Sequence, residues 1–268
     1  MKKHLLFYIL TFLAFFSCEK VVDMDLNEES PRVVIEGQVT NKPGPYTIRI
    51  TQSGSYMGGD KFEKIVGANV KVYDNAGQSE SLVEEEPGLY KTTNLEGVEG
   101  RVYHLEVEYD SEKYTASSSM PVKVPIDSLT LHHREEQLFN WPEYYINMHF
   151  TDPGHTRNYY YLKVYNNNMQ GEPSPHFVVF DDLLFNGRSI SDDIGFSDFE
   201  KGDTVHVELL SIDREAYEYY NNLNAILNNA GGNPFQGAPQ NPTTNISGNA
   251  LGFFGAYAID KASILIDY

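Results

Sequence analysis

Thiols are nearly absent from this chain. Its 268 residues include one cysteine, Cys18, which excludes an internal disulfide and a multi-cysteine zinc centre, and leaves no cysteine nucleophile in the body of the chain. Basic residues are scarce as well: 20 Lys and Arg stand against 38 Asp and Glu, for a formal charge of −18. Phosphate backbones and anionic lipids are repelled by such a surface, so nucleic acid is not an expected partner. Long apolar runs are missing too. The longest, Leu5 to Phe16, is interrupted only by Thr11, and it falls short of the roughly 20 residues that a membrane-spanning helix needs. No G-x-S-x-G elbow, H-E-x-x-H helix, P-loop or dinucleotide fingerprint occurs, so no catalytic motif is found and no cofactor is expected.

What is present begins with Met1, Lys2 and Lys3 ahead of that short apolar run, then Ser17 and Cys18. A basic start, an apolar core and a small residue before the cut make a secretory signal peptide. With the cysteine directly after Ser17, residues 1–17 resemble a bacterial lipoprotein signal, which implies an acylated Cys18 as the first mature residue. Phe15 departs from the usual aliphatic position, as in the looser signals of the Bacteroidota. Two or three acyl chains, at about 0.8 kcal/mol per buried CH₂, anchor a protein stably without a transmembrane helix. Residues 18–31 read as an acidic tether. Asp23, Asp25 and Asn27 have the spacing that opens a calcium loop, but Glu28 and Val34 stand where that loop needs Gly and Glu. Cys18-Glu19-Lys20 partly matches the signal that sends such lipoproteins to the outer face of the outer membrane, which is the expected location.

From Arg32 to Met120 the dominant period is two. In Tyr46-Thr-Arg-containing "YTIRI", Tyr46, Ile48 and Ile50 share one face while Thr47 and Arg49 share the other; in "RVYHLEVEY", Tyr103, Leu105, Val107 and Tyr109 alternate with His104, Glu106 and Glu108. Further strands are expected at 32–40, 69–74, 79–85, 89–93 and 113–119, which predicts an N-terminal β-sandwich over 32–121 of immunoglobulin-like or transthyretin-like type. Pro121 and Pro125 mark a boundary. Beyond it, 126–268 is expected to be a second β-sandwich domain, with strands at 129–132, 144–151, 159–165, 177–180 and 204–212. Its one amphipathic helix, near 214–229, is capped by Asp213 and buries Ala216, Tyr220, Leu223 and Leu227. The fold class is therefore mainly β. Residues 233–244 are rich in Pro, Asn and Gly, and small residues alternate with aromatics beyond them; together 233–257 read as a long ordered loop that packs closely on something.

Candidate chemistry is thin. His132 and His133 are adjacent on a strand and point to opposite faces, so they do not share one metal, and no metal site is assigned. Asp152-Pro153-Gly154-His155 reads as a turn, and Asp181-Asp182 and Asp192-Asp193 as solvated pairs that would serve acid–base chemistry only if the fold brought partners to them. The order of segments, with "VVIEGQVTN", "ANVKVYDNAG", "GVEGRVYHLEVEY", "FDDLLFNG", "LLSIDREAYEYYNNL" and "NPF…P…TNI…LGFFGAY", resembles domain-of-unknown-function family 4249, lipoproteins of the Bacteroidota outer membrane. That resemblance implies an accessory to a TonB-dependent receptor in nutrient uptake, with no established binding residues to carry over and no nutrient identified. Where irregular backbone, aromatics and amides coincide, the candidate binding residues are Asp181, Asp182, Phe185 and Asn186, then Asn233, Phe235 and Asn245, and finally Phe253, Phe254 and Tyr257. The alternatives are an adhesive surface module and a carboxylate-based hydrolase assembled only in the fold.

Overall fold

The computed structural model describes residues 30–54, 62–134, 143–166, 177–194, 199–229 and 241–267. The strands of the first half are β1 (Val33–Thr40), β2 (Thr47–Gln52), β3 (Asn69–Asp74), β4 (Ser79–Ser81), β5 (Val83–Glu86), β6 (Leu89–Lys91), β7 (Val102–Tyr109) and β8 (Glu112–Ser119). Those of the second half are β9 (Ile126–Arg134), β10 (Glu143–Thr151), β11 (Tyr159–Asn166), β12 (Val178–Asp181), β13 (Ser189–Asp193), β14 (Thr204–Ile212) and β15 (Leu251–Leu265), with one helix, α1 (Arg214–Asn229), before β15. The alternation read in β2 and β7 holds: Ile48, Ile50, Tyr103, Leu105 and Val107 are buried.

Three sheets result. Eight strands run in the order β12-β11-β14-β15-β1-β2-β6-β5, four in the order β4-β3-β7-β8, and three in the order β13-β10-β9. The eight-stranded sheet spans both halves, so the expected units 32–121 and 126–268 have separate cores but share one sheet. The first core gathers Ile35, Ile48, Val72, Tyr103 and Leu105 with Phe254, Ala256 and Ala258 from the far end of the chain. The second gathers Ile146, Phe150, Tyr160, Val207 and Leu209 with Ile266. Even-numbered residues of β15 thus feed both cores from one face, since Ile264 packs against the second. Its odd-numbered residues Phe253, Tyr257 and Ile259 face the other way, into a third cluster with Ala216, Tyr217 and Tyr220 of the helix.

This corrects the reading of 233–257 as one long loop. From Leu251 on the chain is a strand, in parallel register with β1 over Val34 to Thr40 and antiparallel to β14 over Ser211 back to Thr204. Its small residues follow from close approach. Gly252 sits at φ +92°, and a Cβ there would lie 2.1 Å from the Ile35 carbonyl oxygen. Gly255 leaves the room into which the Tyr257 ring folds. The polar strand β13 also went unexpected.

Each end of β15 has one open edge, and an amide closes each. Asn245 accepts from the Phe254 N–H at 3.1 Å and donates to the Phe254 carbonyl at 2.7 Å. Asn41 accepts from the Ile259 N–H at 2.8 Å. Between them, at the seam of the two cores, Asp260 pairs with Lys123 at 2.9 Å and accepts the Ile126 N–H at 2.8 Å, strapping the linker down. Asp213 caps the helix as expected, accepting from Ala216 N at 2.8 Å, and it also accepts from Ser118 Oγ and Ser119 N of β8. Leu227, expected to be buried, is exposed.

Two consequences are measurable. Gly252→Ala combines a strained backbone with a backbone clash and is expected to cost about 2–4 kcal/mol in urea unfolding. Asp74 is buried, pairs with Arg101 at 2.7 Å and accepts the Ala76 and Gln78 amides. Burial alone would raise its carboxyl, but Arg101 and the two amides outweigh it and hold the group below its ordinary value. Its contribution is therefore present above the unfolded-state value, near pH 4, and lost as pH falls through the lower folded value. Asp74→Ala should cost about 2–3 kcal/mol at neutral pH, and the loss should shrink when unfolding is followed into that acid range.

Candidate functional site

The expected binding residues do not converge on one place. Asn233 and Phe235 lie outside the described residues, as does Cys18. The others divide among a loop, a core and a helix interface.

The loop follows β12. Asp181 pairs with Arg157 at 2.6 Å and accepts the Leu183 N–H. Asp182, 1% exposed, accepts the Asn158 N–H at 2.9 Å, and its own N–H donates to the Asn158 carbonyl. Its other oxygen, Oδ1, is buried without a partner among the described residues. From the opposite side, buried Asp152 accepts the Gly187 N–H at 2.9 Å and the Tyr160 hydroxyl. Burial first, and then those carboxylates, push the Tyr160 phenol far above its ordinary range. Phe185 meets Phe150 edge-on at 6.1 Å. These carboxylates fasten two loops together, the turn at 152–158 and the loop 181–187. Asn186 is exposed, and Leu183 and Leu184 stand out at 65% and 85% exposure.

At the helix interface Tyr220 packs on Tyr161 with centroids 4.6 Å apart and meets the Tyr257 hydroxyl at 3.2 Å. Burial raises both the Tyr220 and the Tyr257 phenol. The helix tyrosines are packed against the sheet, as their spacing implied. Phe254 is fully buried in the first core, and Asn245 serves the strand edge, also donating to the Ser117 carbonyl at 3.0 Å. These are packing and pairing roles.

The helix covers only part of the outer face of the eight-stranded sheet, and a trough opens where its cover ends. Its floor is Glu36 and Gln38 of β1, Thr47 and Arg49 of β2, and Leu89 of β6; its wall is Tyr219, Tyr220, Leu223 and Phe253. The cavity holds about 340 Å³ and passes, through Glu36, Arg49 and Leu89, into a second of about 710 Å³ bordered by Phe62, Lys64, Glu86 and Pro87. In register, Phe253 stands opposite Glu36, Glu36 opposite Arg49, and Arg49 opposite Leu89. Tyr219 stacks on Phe253 at 4.8 Å. Its phenol is pushed up to about 12, first by burial, then by Tyr220 and by the Glu36 carboxylate. Of the expected residues only Phe253 lines this trough. The signal that pointed there was the outward pair Thr47 and Arg49, which alone reads as an ordinary solvated face.

Among the described residues no three His, Cys, Asp or Glu side chains are grouped to hold a metal, and no helix is long and apolar enough to cross a membrane. Asn245→Asp keeps the size but loses the donor to Phe254 and Ser117, and should lower stability by about 2–3 kcal/mol at neutral pH, read by thermal and urea unfolding. Residues 19–263 match the model of a family described as Domain of unknown function (DUF4249). None of the curated proteins matches the chain.

Proposed function

The chain belongs to this family of unknown function, and from that premise we propose that it is a surface lipoprotein of the outer membrane, anchored through Cys18, that docks on a TonB-dependent receptor and aids nutrient uptake. The observation that carries the docking is the Leu183-Leu184 pair. Two large apolar side chains are 65% and 85% exposed on a loop whose base is fastened by Asp152, Asp181 and Asp182. A loop already held in place loses little conformational entropy on binding, and apolar anchors of this kind dominate protein interfaces. The lone cysteine after a short apolar run supports the anchor, and the acidic surface suits an exported protein.

Mild-detergent extraction from the native outer membrane, followed by mass spectrometry, tests this reading. A TonB-dependent receptor is expected in near-equal amount. Leu183→Glu with Leu184→Glu should leave the protein folded and membrane-bound while cutting receptor recovery by about tenfold or more, a loss of at least about 1.4 kcal/mol. Cys18→Ser should instead release it from the membrane fraction. Recovery of the lipoprotein alone, from membranes that contain the receptor, would favour the adhesive module.

A further inference from the structure

The trough beside the helix has unspent binding capacity. Glu36 and Arg49 face each other directly across β1 and β2, a placement with Cβ atoms about 5 Å apart in which opposite charges stabilise each other. Here neither forms an ion pair or side-chain hydrogen bond with another described residue. Burial raises the Tyr219 and Tyr220 phenols of the wall, and the Glu36 carboxylate adds to both shifts, while Arg49 lines both cavities. The Gln38 amide and the Thr47 hydroxyl, which line the same trough, are likewise without side-chain partners among the described residues. At the far end Phe62 is 63% exposed beside Lys64 and Glu86.

From this geometry we propose that the trough binds a short extended peptide carrying both an acidic and a basic group. A ligand that covers Glu36 and Arg49 strips water from two opposite charges, and that cost is met best by a ligand offering a cation to one and a carboxylate to the other. Gln38 and Thr47 offer the donors and acceptors that a peptide backbone needs. Phe62 and Leu89 at one end, with Phe253 and Leu223 at the other, give apolar side chains somewhere to rest. From β15 to β6 the trough crosses three strand spacings, roughly 14 Å, which an extended peptide of about four residues spans. A neutral oligosaccharide would offer hydroxyls but no counter-charge to either group, and so forgoes the stronger charge-assisted bonds. The site is independent of the receptor reading, since it uses none of the residues of the 181–187 loop.

The test uses the full-length lipoprotein in mild detergent, immobilised and exposed to a library of N-acetylated, C-amidated peptides of two to eight residues with acidic, basic, mixed or uncharged side chains and, separately, to a mixture of malto-oligosaccharides. Retained peptides should be short and bear both signs of charge. Retention should fall about tenfold or more in the Glu36→Ser, Arg49→Ser double variant with unchanged melting; should that variant lose its fold, Arg49→Gln alone serves at its exposed position. The exchange Glu36→Arg with Arg49→Glu should recover part of the binding. Equal retention by the variants, retention of sugars in place of peptides, peptides of one sign only, or no retention at all would overturn the proposal. The Leu183→Glu, Leu184→Glu variant should retain peptides as the wild type does, so failure here is distinct from failure of receptor docking.

Discussion

The parallel pairing of β1 with β15 holds the two halves of the molecule in one sheet. The two strands come from opposite ends of the described chain and meet over Val34 to Thr40 and Leu251 to Tyr257. Without that contact the first core would lack Phe254, Ala256 and Ala258, and the helix would lack the platform of Phe253 and Tyr257. Full burial of a single phenylalanine contributes roughly 2–3 kcal/mol, so a strand that serves three clusters weighs heavily against a net stability of about 5–15 kcal/mol. The details around it fit this weight. Gly252 removes a Cβ that would collide with the Ile35 backbone, and Asn41 and Asn245 supply hydrogen bonds where the strand runs past its neighbours.

The same arrangement sets which surfaces are free. One face of the long sheet is covered by the two smaller sheets, and the other only in part, by α1. The uncovered remainder of that face is where Glu36, Gln38, Thr47 and Arg49 stand open beside an aromatic wall. The 181–187 loop is a separate feature, secured by its own carboxylates and presenting apolar side chains. The molecule thus offers a charged trough and an apolar projection, suited to a small ligand and to a protein partner respectively.

Much of the fold was legible because half-buried antiparallel strands announce themselves by alternation. Residues 69–74 and 204–212 and the cap at Asp213 were readable to the residue, since β-branched runs, turn residues and a change of period delimit them. β15 was not. Gly252, Gly255 and a run of alanines look like loop composition, and their reason, backbone approach to Ile35 and room for the Tyr257 ring, exists only once the strands have met. β13 has a single apolar residue, Ile190, which packs on the second core, and so it carries no apolar period. The aromatic block was recognised as packing on something, but its two faces serve different clusters, which separated Phe253 from Phe254. The trough escaped notice because its residues come from four strands and a helix, and no single strand states which neighbour its outward face will have.

Among the described strands, the one shared by both cores is also the last to be made. A chain emerging from its amino terminus carries an unpaired β1 edge until about two hundred further residues have followed, and both cores lack the residues of the chain's far end in the meantime. The delay ties the completion of both cores to the last of the described strands. It also makes the native state a certificate of full length: a product cut short before Leu251 would lack a wall of each core and leave a strand edge open to proteases and chaperones.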